Sequence, residues 1–217
     1  HLGFTPPSSF NALAYVPSRG GLSWEASMAR GLAPLILAGL RAAREALGRR
    51  LRSACLHCDG SMGPGALKAV RAALEEASAL GLVQDGFRWV AVEVKSRAVP
   101  RLLSRQGLRL YTPEKGSYVE LDAFKAVVAT TGFPEHPPLS AQAPPRPVLV
   151  EVVDANWWEL TAAQLARDIY WLSELHWASG LRSPRLPVTT LYPKRLASFW
   201  RAGVMPSEEL YGRLWFL

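Results

Sequence analysis

Residues 146–199 read RPVLVEVVDANWWELTAAQLARDIYWLSELHWASGLRSPRLPVTTLYPKRLASF. VLVEVVD, at 148–154, is an apolar run of the kind that fits a strand. TAAQLARDIYWLSELHWAS, at 161–179, reads as a long helix. RSPRLPVTT, at 182–190, reads as extended, and PKRLASFWRAG, at 193–203, as a final helix. On that reading Lys194 stands at the loop-facing start of the last helix, a cation beside a strand-and-helix frame that could present a functional site.

Working outward, the same alternation runs upstream. AFKAVVATT (123–131) reads as a strand, and LRLYT and SYVEL flank PEKG (113–116) as a hairpin would. RWVAVEVK (88–95) is mostly apolar, as expected of a buried parallel strand. ALKAVRAALEEASALGL (66–82) is an amphipathic helix closed by Gly81. SACLHC (53–58) is a strand ending at Asp59-Gly60. Residues 26–48 place Leu32, Leu35, Ile36, Leu40, Ala43 and Leu47 at helical spacing, with Pro34 expected near that helix's start. Residues 1–24 read as two or three short strands separated by TPPSS and PSRGG. Strands alternating with helices predict an α/β fold around a central mixed sheet, with residues 1–217 as one domain. GFPEHPPLSAQAPPRP (132–147) is too long for filler, which marks a functional or mobile loop.

The chain has 217 residues, 49% of them hydrophobic, enough for a sizeable core. It carries 25 Lys and Arg against 18 Asp and Glu, a net charge of +7, which favours a polyanionic partner. LAPLILAGL (32–40) is too short to span a bilayer and runs on into charged residues, and no signal peptide is visible. The first residue is His1, so the sequence is expected to be the downstream part of a longer protein. Cys55 and Cys58 form a CxxC with no second ligand pair to complete a zinc site. They are expected to be buried strand cysteines in a reducing cytoplasm.

Asp59 is placed at the strand edge where α/β sheets present ligand-binding groups. A two-metal centre needs several converging carboxylates, and the acids do not form such a set. Glu75, Glu76, Glu114, Glu208 and Glu209 fall on helix faces or turns, and Glu25 is the one further candidate ligand. His57, His136 and His176 lack the spacing of a nucleophile–base arrangement, and there is no P-loop or GxGxxG. Basic residues are better organised. Lys95, Arg97, Arg101, Arg105 and Arg109 crowd one connection, Arg146 follows, and Arg182, Arg185, Lys194, Arg195 and Arg201 surround the last two elements. Such side chains grip phosphates as point charges and bidentate forks.

This order of motifs resembles the PIWI module of prokaryotic Argonaute proteins, which has an RNase H-like fold. The resemblance spans nearly the whole chain and is strongest over 146–199; CLHCDG (55–60), VEVKSRAVPRLL (92–103) and LGF-T (2–5) extend it. It implies a degenerate slicing centre: the first acid falls at Thr5, the second is Asp59, the fourth position falls at Lys194, and Glu25 is the candidate mobile glutamate. A threonine and a lysine cannot neutralise paired Mg²⁺, and Lys194 could instead pair with Asp59. The resemblance places Lys95, Arg101 and Arg146 on the guide backbone and Arg182 and Arg185 near its 5′ half; Arg97 and Arg195 complete the candidate set. It also implies a Mg²⁺ at the guide 5′-phosphate, held in part by the terminal carboxylate of Leu217 and requiring a MID domain in the same or a companion chain. The partners it implies are guide and target RNA or DNA, with a possible effector protein and no membrane, in a cytoplasmic defence against foreign nucleic acid. Two readings compete with silent binding: an active metal-dependent endonuclease using Asp59 with Glu25, and a scaffold whose basic groove docks a protein.

Overall fold

The computed structural model describes residues 24–97, 99–132, 146–157, 159–176 and 185–204. The expected strands at 1–24, most of the Pro-rich loop and the end of the 161–179 helix lie outside these residues. In chain order the elements are α1 (Trp24–Leu47), β1 (Leu51–Asp59), α2 (Pro64–Ala79), β2 (Val83–Lys95), β3 (Ser104–Gln106), β4 (Arg109–Tyr111), β5 (Tyr118–Asp122), β6 (Lys125–Val128), β7 (Val148–Ala155), α3 (Ala162–Glu174) and α4 (Val188–Arg201). Five strands form a mixed sheet in the order β1-β2-β7-β6-β5, flanked by helices, as the alternation of patterns predicts. β3 and β4 form a separate two-stranded ribbon.

The residues fall into two compact units, and β1 and β2 contribute to both. In the first, α1 packs on α2. The α2 face is Ala66, Ala69, Val70, Ala73, Leu74 and Ala77, small enough for close approach, and the cluster continues through Ile36, Leu37, Leu40, Leu51, Leu82 and Val83. The C-terminus of α2 closes as a Schellman turn: Gly81 N–H donates to the Ser78 carbonyl and Leu82 N–H to the Ala77 carbonyl, with Gly81 at φ 62°. Pro34 corrects the sequence expectation. It sits inside α1 rather than near its start, on the exposed side, so the apolar stripe holds the helix together across the missing N–H donor.

In the second unit, Ala126, Val127 and Val128 of β6 and Val148 and Val150 of β7 are buried, and α3 covers this sheet with Ala162, Leu165, Ala166 and Ile169. α3 starts in a capping box: Gln164 N–H donates to Thr161 Oγ1 at 3.2 Å and Thr161 N–H to Gln164 Oε1 at 2.9 Å. The hairpin expected across PEKG does not form. β4 pairs back with β3, and β5 pairs forward with β6, both antiparallel. The tight turn of the second hairpin is held by Asp122, whose carboxylate accepts from Phe124 N–H at 2.8 Å. PEKG is instead docked on α3: Lys115 pairs with Glu174 at 2.6 Å, and a Cβ on Gly116, at φ 91°, would meet the Tyr170 ring at 3.4 Å.

A second correction concerns α4. The stretch read as extended through residue 190 is already helical from Val188, because Pro187 supplies the first acceptor, to Thr190 N–H at 3.0 Å and Leu191 N–H at 2.8 Å. Pro193 is therefore inside the helix, and Lys194 is two turns from its start rather than on it.

Candidate nucleic-acid interface

Three arginines far apart in sequence, Arg101, Arg146 and Arg185, belong to the second unit, and the charges of the first two act on the third. Arg185, half-buried, is held at its backbone by Thr130, whose hydroxyl donates to the Arg185 carbonyl at 2.6 Å just past the end of β6. Arg146 is the exposed residue before Pro147, which leads into β7. Arg101 is exposed, on the segment between β2 and β3. Burial and then the charges of Arg146 and Arg101 hold the Arg185 guanidinium below the ordinary arginine range. A phosphate brought beside these guanidiniums would be attracted by each of them.

Lys95 has a different environment. Its ammonium lies 2.6 Å from Glu93 Oε2 and 2.8 Å from Glu151 Oε2, and the other Glu151 oxygen takes Lys125 at 2.8 Å. The period of two along β2 puts Glu93 and Lys95 on one face, and β6–β7 register sets Lys125 directly opposite Glu151. Burial works to lower the Lys95 pKa, but hydrogen bonds to Glu151 and Glu93 outweigh it and keep the ammonium above its usual range. Glu151 is held below the usual carboxylate range, first by its hydrogen bond to Lys125 and then by that to Lys95. Glu93 is 4% exposed, so this network satisfies a buried charge. The sequence groups Lys95 with the arginines that follow it; the signal for its different role lies in Glu93, two residues before it, and in Glu151, which only sheet pairing brings near.

At the C-terminal end of β1, Asp59 is exposed, and Gly60 N–H donates to the Val94 carbonyl at 3.2 Å with Gly60 at φ 99°. His57 Nδ1 lies 2.8 Å from Thr189 Oγ1, in the first turn of α4. Burial lowers the His57 pKa to about 4, so the ring is neutral at pH 7. The cysteines depart from the expectation of burial: Cys55 is exposed and Cys58 half-buried. Alternation along the strand does not decide which strand face is covered. Burial, then the charges of Glu93 and Asp59, push the Cys58 thiol up to about 11.

Of the remaining candidates, Arg97 is exposed after β2. Lys194 is exposed on α4 and Arg195 half-buried there, with Arg195 acting on the Tyr192 hydroxyl. Glu25 belongs to the first turn of α1, with its side chain outside the described residues, as are Thr5, Arg182 and Leu217 entirely. Among the described residues no three of His, Cys, Asp and Glu converge as a metal-ligand set. Asp59 by itself cannot neutralise two divalent ions.

No family model matches the chain. A curated Piwi protein of Archaeoglobus fulgidus is 25% identical over 165 residues, covering 72% of this chain and 37% of that protein. The solved structure of Clostridium butyricum Argonaute bound to a guide DNA and a 19-mer target DNA matches with a TM-score of 0.61 and 22% identity, over 78% of this chain and 20% of that one. The chain therefore spans well under half the length of either relative. The fold is that of the RNase H-like PIWI module of Argonaute, and the likeness to the archaeal protein supports a PIWI-like domain. No helix among the described residues is long and apolar enough to cross a membrane.

Proposed function

We propose that this chain is a PIWI-like module that binds a guide–target nucleic-acid duplex by its phosphates and does not cut the target. The observation that supports the reading is that the charges of Arg101 and Arg146 act on half-buried Arg185, three arginines from three separate connections of one unit. Guanidinium forks of this kind hold phosphate oxygens and fix the register of a duplex, and sequence choice is left to base pairing. The Clostridium relative's bound guide and target DNA supports such a partner. Arg97, Arg182 and Arg195 would extend the grip along the backbone; Lys95 would act through its network, holding the sheet edge rather than a phosphate.

Loss of cutting rests on chemistry at positions carried over by resemblance. Thr5 and Lys194 stand where anionic ligands would be required, and a lysine ammonium repels divalent metal. In this proposal Asp59 is a remnant, Glu25 has no ion to join, and the nearest role for Lys194 is charge compensation. A Mg²⁺ at the guide 5′-phosphate, held in part by the Leu217 carboxylate and a MID domain, a cytoplasmic defensive role and an effector partner belong to the same proposal. The test is assembly of the full-length protein with a guide and a matched target in Mg²⁺ or Mn²⁺. Duplex retention without specific cleavage is expected. Cleavage that disappears in Asp59→Ala would overturn the silent reading in favour of an active nuclease, and no retention of DNA or RNA at modest salt would overturn both.

A further inference from the structure

Apart from the cluster already described, the first unit holds a second arginine-rich feature. An open cavity of about 720 Å³ is lined by Arg41, Arg44, Arg49 and Arg50, with Glu45, Gly48, Leu80 and Leu82. Arg41 and Arg44 are one turn apart at the end of α1, and Gly48, at φ 62°, turns the chain so that Arg49 and Arg50 face the same space. Arg50 is fixed by its backbone: its carbonyl accepts from Gln84 Nε2 at 3.4 Å, and Leu51 N–H donates to the Leu82 carbonyl at 3.1 Å. Its guanidinium lies over Gly81, where an added Cβ would come within 3.6 Å. Among the described residues none of these four guanidiniums has a hydrogen-bonded or ion-paired carboxylate, and Glu45 leaves the lining at +3.

The carbonyl end of α1 accounts for one cation nearby, since its partial negative charge is about half a unit. Four arginines exceed that. The apolar part of the lining is Leu82, which is buried, and Leu80, which is 45% exposed. Guanidiniums beside aliphatic side chains match a ligand with phosphate oxygens at one end and a flat, weakly polar ring at the other. We propose that this cavity binds a nucleotide, with phosphates on the arginines and the base against Leu80 and Leu82 and stacked on a guanidinium plane. The nucleotide is either free or one unit of a single strand. The site is independent of the Arg101, Arg146 and Arg185 group and does not require that group to bind nucleic acid.

The experiment uses the full chain carrying Arg101→Ala, Arg146→Ala and Arg185→Ala, so that only the cavity is read. ATP, a labelled ten-nucleotide oligo(dT) and a poly-glutamate peptide are titrated at about 0.1 M salt, and thermal midpoints are recorded. Binding of ATP or oligo(dT) is expected to persist and to weaken at least tenfold on adding Arg44→Glu with Arg49→Glu. ATP binding points to a free nucleotide; oligo(dT) binding without ATP binding points to a strand. If the charge reversal does not fold, Arg44→Lys with Arg49→Lys keeps the charge and loses the planar fork; a severalfold loss of affinity at an unchanged midpoint is then expected. No binding in the starting variant, affinity unmoved by either pair of substitutions, or tighter binding of poly-glutamate than of both nucleotide probes would overturn the proposal.

Discussion

Acidification from pH 7 to 5 should destabilise this protein through His57. The ring is held neutral by burial, with its pKa lowered from 6.5 to about 4, while the unfolded chain titrates near 6.5. The unfolded state therefore binds the extra proton between these values, and stability present above pH 6.5 is lost as the pH falls toward 4. At pH 5 roughly 97% of unfolded imidazoles but only about 10% of folded ones would be charged, which gives a loss of about 1.8 kcal/mol relative to pH 7. The partially covered ring makes that an upper value. Neighbouring carboxylates do not imitate the effect. Glu151, held low, loses its contribution only below the usual carboxylate range. Asp168, raised chiefly by burial, binds its proton more readily when folded and adds stability on acidification. Urea unfolding followed by tryptophan fluorescence at both pH values, on the native chain and on His57→Asn, isolates the histidine. Asn keeps a polar group toward Thr189 Oγ1, 2.8 Å from the native ring nitrogen, but does not titrate. The native chain should lose over 1 kcal/mol more than the variant between pH 7 and 5. Equal losses in the two proteins would refute the assignment of a half-buried, neutral ring.

Other measurements probe the remaining parts. Replacing Arg101, Arg146 and Arg185 by Ala should flatten the log-log salt dependence of duplex binding by about 2.7, which is about 0.9 for each lost phosphate contact; electrophoretic titration between 50 and 200 mM salt, on the order used for such slopes, reads it. Lys95→Met should cost about 3 kcal/mol in urea unfolding by removing the ammonium beside buried Glu93, with that salt slope nearly unchanged. Thr161→Ala should cost about 1 kcal/mol by opening the α3 capping box, read in the same unfolding assay. At pH 8, iodoacetamide should modify exposed Cys55 well before Cys58, whose thiol is pushed up to about 11; mass spectrometry of timed digests shows the order.

Much of this fold is legible from local pattern. The Ala-rich face of α2, the apolar run of β2 and the period of α3 each specify an element within a few residues, because a half-buried helix or a buried strand imposes its spacing on the chain. The basic excess pointed to a polyanion for the same reason: net charge is a sum over residues and needs no coordinates.

Pairing and company were decided only in three dimensions. Both LRLYT and SYVEL can take part in hairpins, yet they pair with β3 and β6 rather than with each other, and PEKG packs against Tyr170 and Glu174. The start of α4 turned on Pro187 as an acceptor, which a reading of prolines as extended-chain signals misses. Lys95 and Arg101 look alike in sequence, two cations on one connection. The sheet gives the first two carboxylates from β2 and β7, and the loops give the second Arg146 and Arg185. Coulomb energy depends on distance between groups, and distances between residues tens of positions apart exist only once the chain has folded.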